Sequence, residues 1–221
     1  MRTLTLTLLA EGNTDDRFLP SIIQRTAQSI LISRNATDID IWAPIPISRN
    51  KVDGENLETR ILNAARMANG MHILFIHQDA DSREIGTCYA ERIEPGLRLV
   101  QMEDDGVCKH IVPVIPVRNI EAWLLCDPDT LIRVVGTPMT PEELGIAMPP
   151  QSVERIIDPK QRFQEVVRSA LSRRRGSKPD TGIYFERLGR EINLDLLSRV
   201  PAYISFRNRL HTCLQELNFF R

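Results

Sequence analysis

The stretch Thr3-Leu4-Thr5-Leu6-Thr7-Leu8 alternates polar and apolar side chains and runs into Ala10-Glu11-Gly12-Asn13-Thr14-Asp15-Asp16. A period of two is the mark of a strand whose two sides face different surroundings. A glycine directly after a strand lets the chain turn tightly, so Glu11 is expected to stand exposed at the strand's C-terminal end. A second run, Ile73-Leu74-Phe75-Ile76, is apolar throughout and ends in His77-Gln78-Asp79-Ala80-Asp81. Such a run suits a strand covered on both faces. Each strand therefore delivers carboxylates at its C-terminal end, the edge at which open α/β sheets bind ligands.

Around these two runs, strand and helix signals alternate. Residues 14–34 read as a helix, with Thr14 as candidate N-cap, Asp15 and Asp16 in the first turn, and Pro20 either bending the helix or near its start. Residues 38–47 read as a strand broken by Pro44 and Pro46. Residues 56–69 read as a helix stopped by Gly70, with Leu57, Ile61, Leu62 and Ala65 on one face. A strand at 71–77, a helix at 87–102 interrupted at Pro95-Gly96, a strand at 109–117 and a short helix at 119–126 follow. This β-α-β-α-β-α-β order predicts an α/β fold: a Rossmann-like parallel sheet of about four strands flanked by helices. The strand order does not follow from one sequence.

The expected division is an α/β domain over residues 1–135, a linker or loop over 136–159, and a basic helical C-terminal appendage over 160–221. The middle stretch holds Pro138, Pro141, Pro149, Pro150 and Pro159 with Gly136 and Gly145, and a short turn is expected at 142–144. Helical patterns follow at 159–173, 181–198 and 200–217, without a clear strand.

Bulk composition narrows the class. The chain has 221 residues, 42% hydrophobic and 26% charged, as expected of a soluble globular protein. No apolar run is long enough to span a bilayer, and Met1-Arg2 leads straight into the Thr/Leu alternation without a signal-peptide pattern. Cytoplasmic localisation and no membrane partner are the expectations. Cys88, Cys108, Cys126 and Cys213 form no Cys-x-x-Cys pair, which argues against structural zinc, and they read as core thiols.

The net charge of −1 conceals a division. Residues 1–159 carry 23 acidic and 15 basic side chains, a net of −8, while residues 160–221 carry 6 and 13, a net of +7. Only Lys51, Lys109, Lys160 and Lys178 among the 28 basic residues are lysines. Arginine is favoured where phosphate is gripped in a fixed geometry, although Arg-rich codon usage and solvated helix faces account for the same bias. Arg173-Arg174-Arg175 with Lys178 is the densest basic cluster. It suits either a nucleic-acid backbone or a helix C-terminus.

Glu11, Asp15, Asp79 and Asp81 compose the chemical candidate. Asp15 lies in the first turn after Glu11, and Asp79 and Asp81 flank Ala80, a spacing that points both the same way at a strand end. Carboxylates gathered from two strand ends suit a hard divalent cation, Mg²⁺ or Mn²⁺. Glu121 follows the fourth strand and opens a helix at the same sheet edge. The plainer readings are helix N-terminal acids for Asp15, Asp16 and Glu121, a core residue for Trp123, and a hydrogen-bonded strand-end histidine for His77.

Glu11-Gly12-x-x-Asp15 with Asp79-x-Asp81 resembles the TOPRIM superfamily, which includes topoisomerase and primase catalytic domains and OLD-type nucleases. The segment Arg118-Asn119-Ile120-Glu121-Ala122-Trp123-Leu124-Leu125-Cys126-Asp127 resembles a bacterial TOPRIM-like branch related to the OLD-type nucleases. The resemblance covers residues 1–135 by motif and the tail more faintly. It implies metal ligands at Glu11, Asp15, Asp79, Asp81 and Glu121, catalytic roles for Glu11, Asp79, Asp81 and Glu121, and a basic residue such as Lys178 completing the site. Arg173, Arg174, Arg175 and Lys178 would contact nucleic acid.

Departures from the family pattern narrow the expectation. The sequence lacks a Gly-x-x-x-x-Gly-Lys-Ser/Thr loop, a zinc module, and the separate domain that a topoisomerase tyrosine requires. A stand-alone TOPRIM-like unit is expected, a Mg²⁺-dependent nuclease on DNA in phage defence or DNA repair, served by a separately encoded ATPase. The alternatives are a non-catalytic subunit binding a partner ATPase or nucleic acid, and a metal-dependent nucleotide-sugar transferase using Asp-x-Asp.

Overall fold

The computed structural model of the protein describes residues 2–81, 84–171 and 180–221. Its centre is an all-parallel sheet. The first strand is one line in two pieces, β1 (Arg2–Leu4) and β2 (Leu6–Leu9). They part at Thr5, whose carbonyl accepts from the His72 and Ile73 N–H groups and whose N–H donates to His72 Nδ1 at 3.1 Å. The edge strand is likewise split into β3 (Ile39–Ile41) and β4 (Ile45–Pro46), as a chain with Pro44 and Pro46 must be, since proline cannot donate to a ladder. With β5 (Ile73–His77) and β6 (Ile111–Val114) the order is β4-β2-β5-β6, and β1 pairs with β3. Leu8 lies against Phe75, and His77 against Val114.

The alternation in the first strand sorts its side chains. Leu4, Leu6 and Leu8 enter the larger core with Phe75, Val112 and Val114, while Leu9 turns to the other face with Leu74 and Ile76. The smaller core is covered by α2 (Leu57–Met67) and α4 (Glu94–Met102). Asn56 caps α2, accepting from the Thr59 N–H at 2.9 Å. The third helical segment is continuous from α3 (Ile85–Cys88) to α4, and its irregularity is a π turn at Tyr89–Ile93, ahead of the expected Pro95-Gly96 break. Proline is tolerated in the first turn of α4, where its missing N–H has no partner to lose.

The larger core is closed by α1 (Asp15–Ser33), α5 (Glu121–Leu124), α6 (Pro128–Val135), α7 (Pro159–Ala170), α8 (Gly182–Glu191), α9 (Leu194–Leu197) and α10 (Pro201–Glu216). The helices after residue 159 thus share one core with the sheet. Trp123 lies edge-on to Tyr203, ring centres 5.5 Å apart, and Tyr203 shares a 2.8 Å hydrogen bond with Thr26 of α1. The Pro-rich stretch packs too: Leu144, Ile146 and Val153 are buried in the same core. All four cysteines are buried and free. No helix among the described residues is long and apolar enough to cross a membrane.

Candidate functional site

The C-terminal ends of β2, β5 and β6 meet at one sheet edge. Three successive hydrogen bonds tie the loops after β5 and β6: Gln78 N–H to Val114 O, Ala80 N–H to Pro116 O, and Asp81 N–H to Arg118 O, each 3.1 Å. The last joins two non-glycine residues in the left-handed region, Asp81 (φ 55°) and Arg118 (φ 63°). Such conformations persist only where surrounding contacts impose them, and they concentrate at functional sites.

His77 sits at the centre, fully shielded from solvent. Its Nδ1 accepts the Glu11 N–H at 3.4 Å and lies 3.4 Å from Asp15 Oδ2. Its Nε2 is 3.3 Å from Asp79 Oδ1, close enough for charge to act but out of line for a hydrogen bond. Both atoms are buried and lack a partner among the described residues. Burial alone would lower the imidazole pKa, but contact with Asp79 and the charges of Asp15, Asp79 and Glu11 raise it overall. The plain strand-end histidine expected here is instead the hub of the acidic cluster.

The carboxylates crowd around this hub. Glu11 Oε2 accepts from the Asp79 N–H at 2.9 Å and the Gln78 amide at 2.7 Å. Glu11 is exposed at the rim, yet the surrounding protein, above all desolvation, raises its pKa; Asp79 and Asp81 add repulsion. Asp79 is raised for the same leading reason. Gly12 serves close approach rather than positive φ: an added Cβ would lie 2.7 Å from Asp15 Oδ2. Thr14 forms no side-chain cap on α1, and Asp15 is buried facing His77. Glu121 opens α5, is 7% exposed, and is pushed up to about 7 by burial and by the charges of Asp79 and Asp15, with Lys160 opposing them.

Sequence reasoning thus finds Glu11, Asp15, Asp79 and Glu121 brought together. Asp81 is adjacent but turned: its left-handed backbone breaks the alternation that would align it with Asp79, and its carboxylate pairs with Arg92 at 2.9 Å. Lys178, Arg173, Arg174 and Arg175 lie outside the described residues. Four basic or acidic neighbours escaped the sequence reading: Arg92, Arg49, Lys160 and Asp16. Arg49 donates to Glu11 O and Asn13 Oδ1; with Asp16, Ser48 and Asn50 it lines a pocket of about 240 Å³ beside the cluster. Larger grooves of about 320 and 380 Å³ run beside β3 and β6 but gather no cluster of carboxylates.

The arrangement offers oxygen donors to a hard cation, and the unpartnered Asp79 Oδ1 is the kind of buried acceptor such an ion would satisfy. Among the described residues, no three histidine, cysteine or acidic side chains already converge as a finished ligand set. Comparison with family models, with curated proteins and with solved structures returns no match.

Proposed function

We propose that this protein is a Mg²⁺- or Mn²⁺-dependent nuclease that cleaves DNA phosphodiesters at the β2-β5-β6 edge. The observation that carries the reading is His77: a fully buried imidazole, its Nε2 unpartnered, lodged among Glu11, Asp15 and Asp79 at the ligand-binding edge of a parallel sheet. Glu11, Asp15, Asp79 and Glu121 would hold the cation. A bound divalent ion polarises a phosphoryl oxygen and lowers the pKa of bound water.

The chain's own residues supply the rest. His77 orients the Asp15 and Asp79 carboxylates. Glu121, with a pKa pushed up to about 7, takes or releases a proton near neutral pH. Arg49 and Lys160 bring positive charge to the approach of a polyanion. DNA as substrate, a separately encoded ATPase as partner, a role in phage defence or repair, and a cytoplasmic setting follow from the TOPRIM resemblance and belong to this proposal.

The test is cleavage of plasmid and single-stranded DNA with Mg²⁺, Mn²⁺ or EDTA. Asp79→Asn is expected to abolish metal-dependent cleavage with the circular dichroism spectrum and melting temperature retained. Equal cleavage by the purified variant refutes the proposal. The absence of a finished ligand set favours a second reading, a non-catalytic subunit of the same fold; DNA or ATPase binding without cleavage by the wild type would select it.

A further inference from the structure

The two carboxylates of the Asp79-Ala80-Asp81 turn go to different partners. Asp79 faces His77 and its side chain is 23% exposed. Asp81 faces Arg92, Oδ2 to Nη1 2.9 Å, and its side chain is 62% exposed. The same Nη1 donates to the Asp79 carbonyl oxygen at 3.0 Å, which fixes the guanidinium over the turn. Arg92 can reach there because it lies on the Tyr89–Ile93 π turn; a wider turn re-aims side chains relative to a regular helix, and such turns recur at functional sites. Asp81 is held from the other side by its N–H bond to Arg118 O, with both residues left-handed.

We infer that Arg92 is a positioning residue that withholds the Asp81 carboxylate from a divalent cation bound by Glu11, Asp15 and Asp79. This rests on the metal-site reading above. A guanidinium and a metal ion compete for one carboxylate, and only one can hold it at contact distance. The Arg92–Asp81 pair is partly exposed, so its competition is modest, about two- to fivefold in cation affinity. Arg92 also adds a general positive field, which any test must separate from its specific hold on Asp81.

Mn²⁺ titration by calorimetry of the full chain makes that separation. Arg92→Ala is expected to tighten Mn²⁺ binding about two- to fivefold. Asp81→Asn alone is expected to leave the affinity nearly unchanged, because Asp81 is already engaged. In the Arg92→Ala background, Asp81→Asn is expected to reverse the gain, a coupling that a purely structural or field effect does not produce. Arg92→Lys, which keeps the charge opposite Asp81, is expected to behave as wild type. The inference is overturned if Arg92→Ala leaves affinity unchanged or weaker, if the double variant stays tight, or if Asp81→Asn alone weakens binding as much as Asp79→Asn. Absence of Mn²⁺ binding by the wild type would remove the metal site itself, and this inference with it.

Discussion

Glu121 was legible in the sequence as an acid at the sheet edge, but its burial was not. Four residues of apolar helix follow it, and only the packing of Trp123 against Tyr203 and Phe206 shows how far α5 is drawn into the core. The consequence is thermodynamic. A carboxyl whose pKa rises from 4.5 to about 7 on folding binds more protons folded than unfolded between those values, so stability falls as pH rises through that window. Glu121→Gln removes the ionisation. In EDTA it is expected to match wild type near pH 4.5 and to be more stable above pH 7, by up to about 3 kcal/mol. Urea unfolding at pH 5 and pH 8 checks this; an equal difference at both values would contradict it. His77 escaped the sequence reading for a related reason. A histidine before Asp-x-Asp gives no sign that its Nε2 lacks a partner, since that depends on three chain segments meeting.

At the scale of elements, the strands were readable because their periodicities reflect which faces are covered. The alternation of Leu4, Leu6 and Leu8 matches their common core, and the unbroken Ile73–His77 run lies between two covered faces. The π turn was not readable, because it arises from packing and no residue type marks it. Helix α8 presents another feature that only tertiary contact reveals. Gly189 meets α1 so closely that an added Cβ would lie 2.6 Å from the Phe18 carbonyl oxygen, a backbone atom that cannot swing aside. Arg17 and Arg25 of α1 reinforce this contact, donating to the carbonyls of Gly182, Gly189 and Ile192. Gly189→Ala is expected to destabilise by about 1–3 kcal/mol, overpacking outweighing the better helix propensity of alanine. Gly86→Ala, exposed in α3 with nothing near its added Cβ, is expected to be neutral or stabilising by up to about 1 kcal/mol. Chemical denaturation of both variants decides the matter, and similar effects of the two would refute the close-packing argument.

Across the whole molecule, chain segments far apart in sequence build one core on one side of the sheet, while acids from β2, β5 and the start of α5 gather at its C-terminal edge. The acidic bias of residues 1–159 was visible in composition; its focus on His77 required the parallel order β2-β5-β6. Raised pKa values at Glu11, Asp79 and Glu121 show that the folded chain holds these acids at a cost that a bound cation would relieve. Binding to the folded state alone stabilises it by about 2.7 kcal/mol at a hundredfold excess over the dissociation constant. For a chain of this length that corresponds to a rise in melting temperature of roughly 5–10 °C. Saturating Mn²⁺ is therefore expected to raise the melting temperature at pH 8, and EDTA to reverse it. The rise should shrink at pH 6, because below about 7 the cation must displace the proton on Glu121. Asp79→Asn should lose most of the rise at both pH values. A Mn²⁺ effect that is the same at pH 6 and pH 8, or that survives Asp79→Asn, would place the cation somewhere other than this edge.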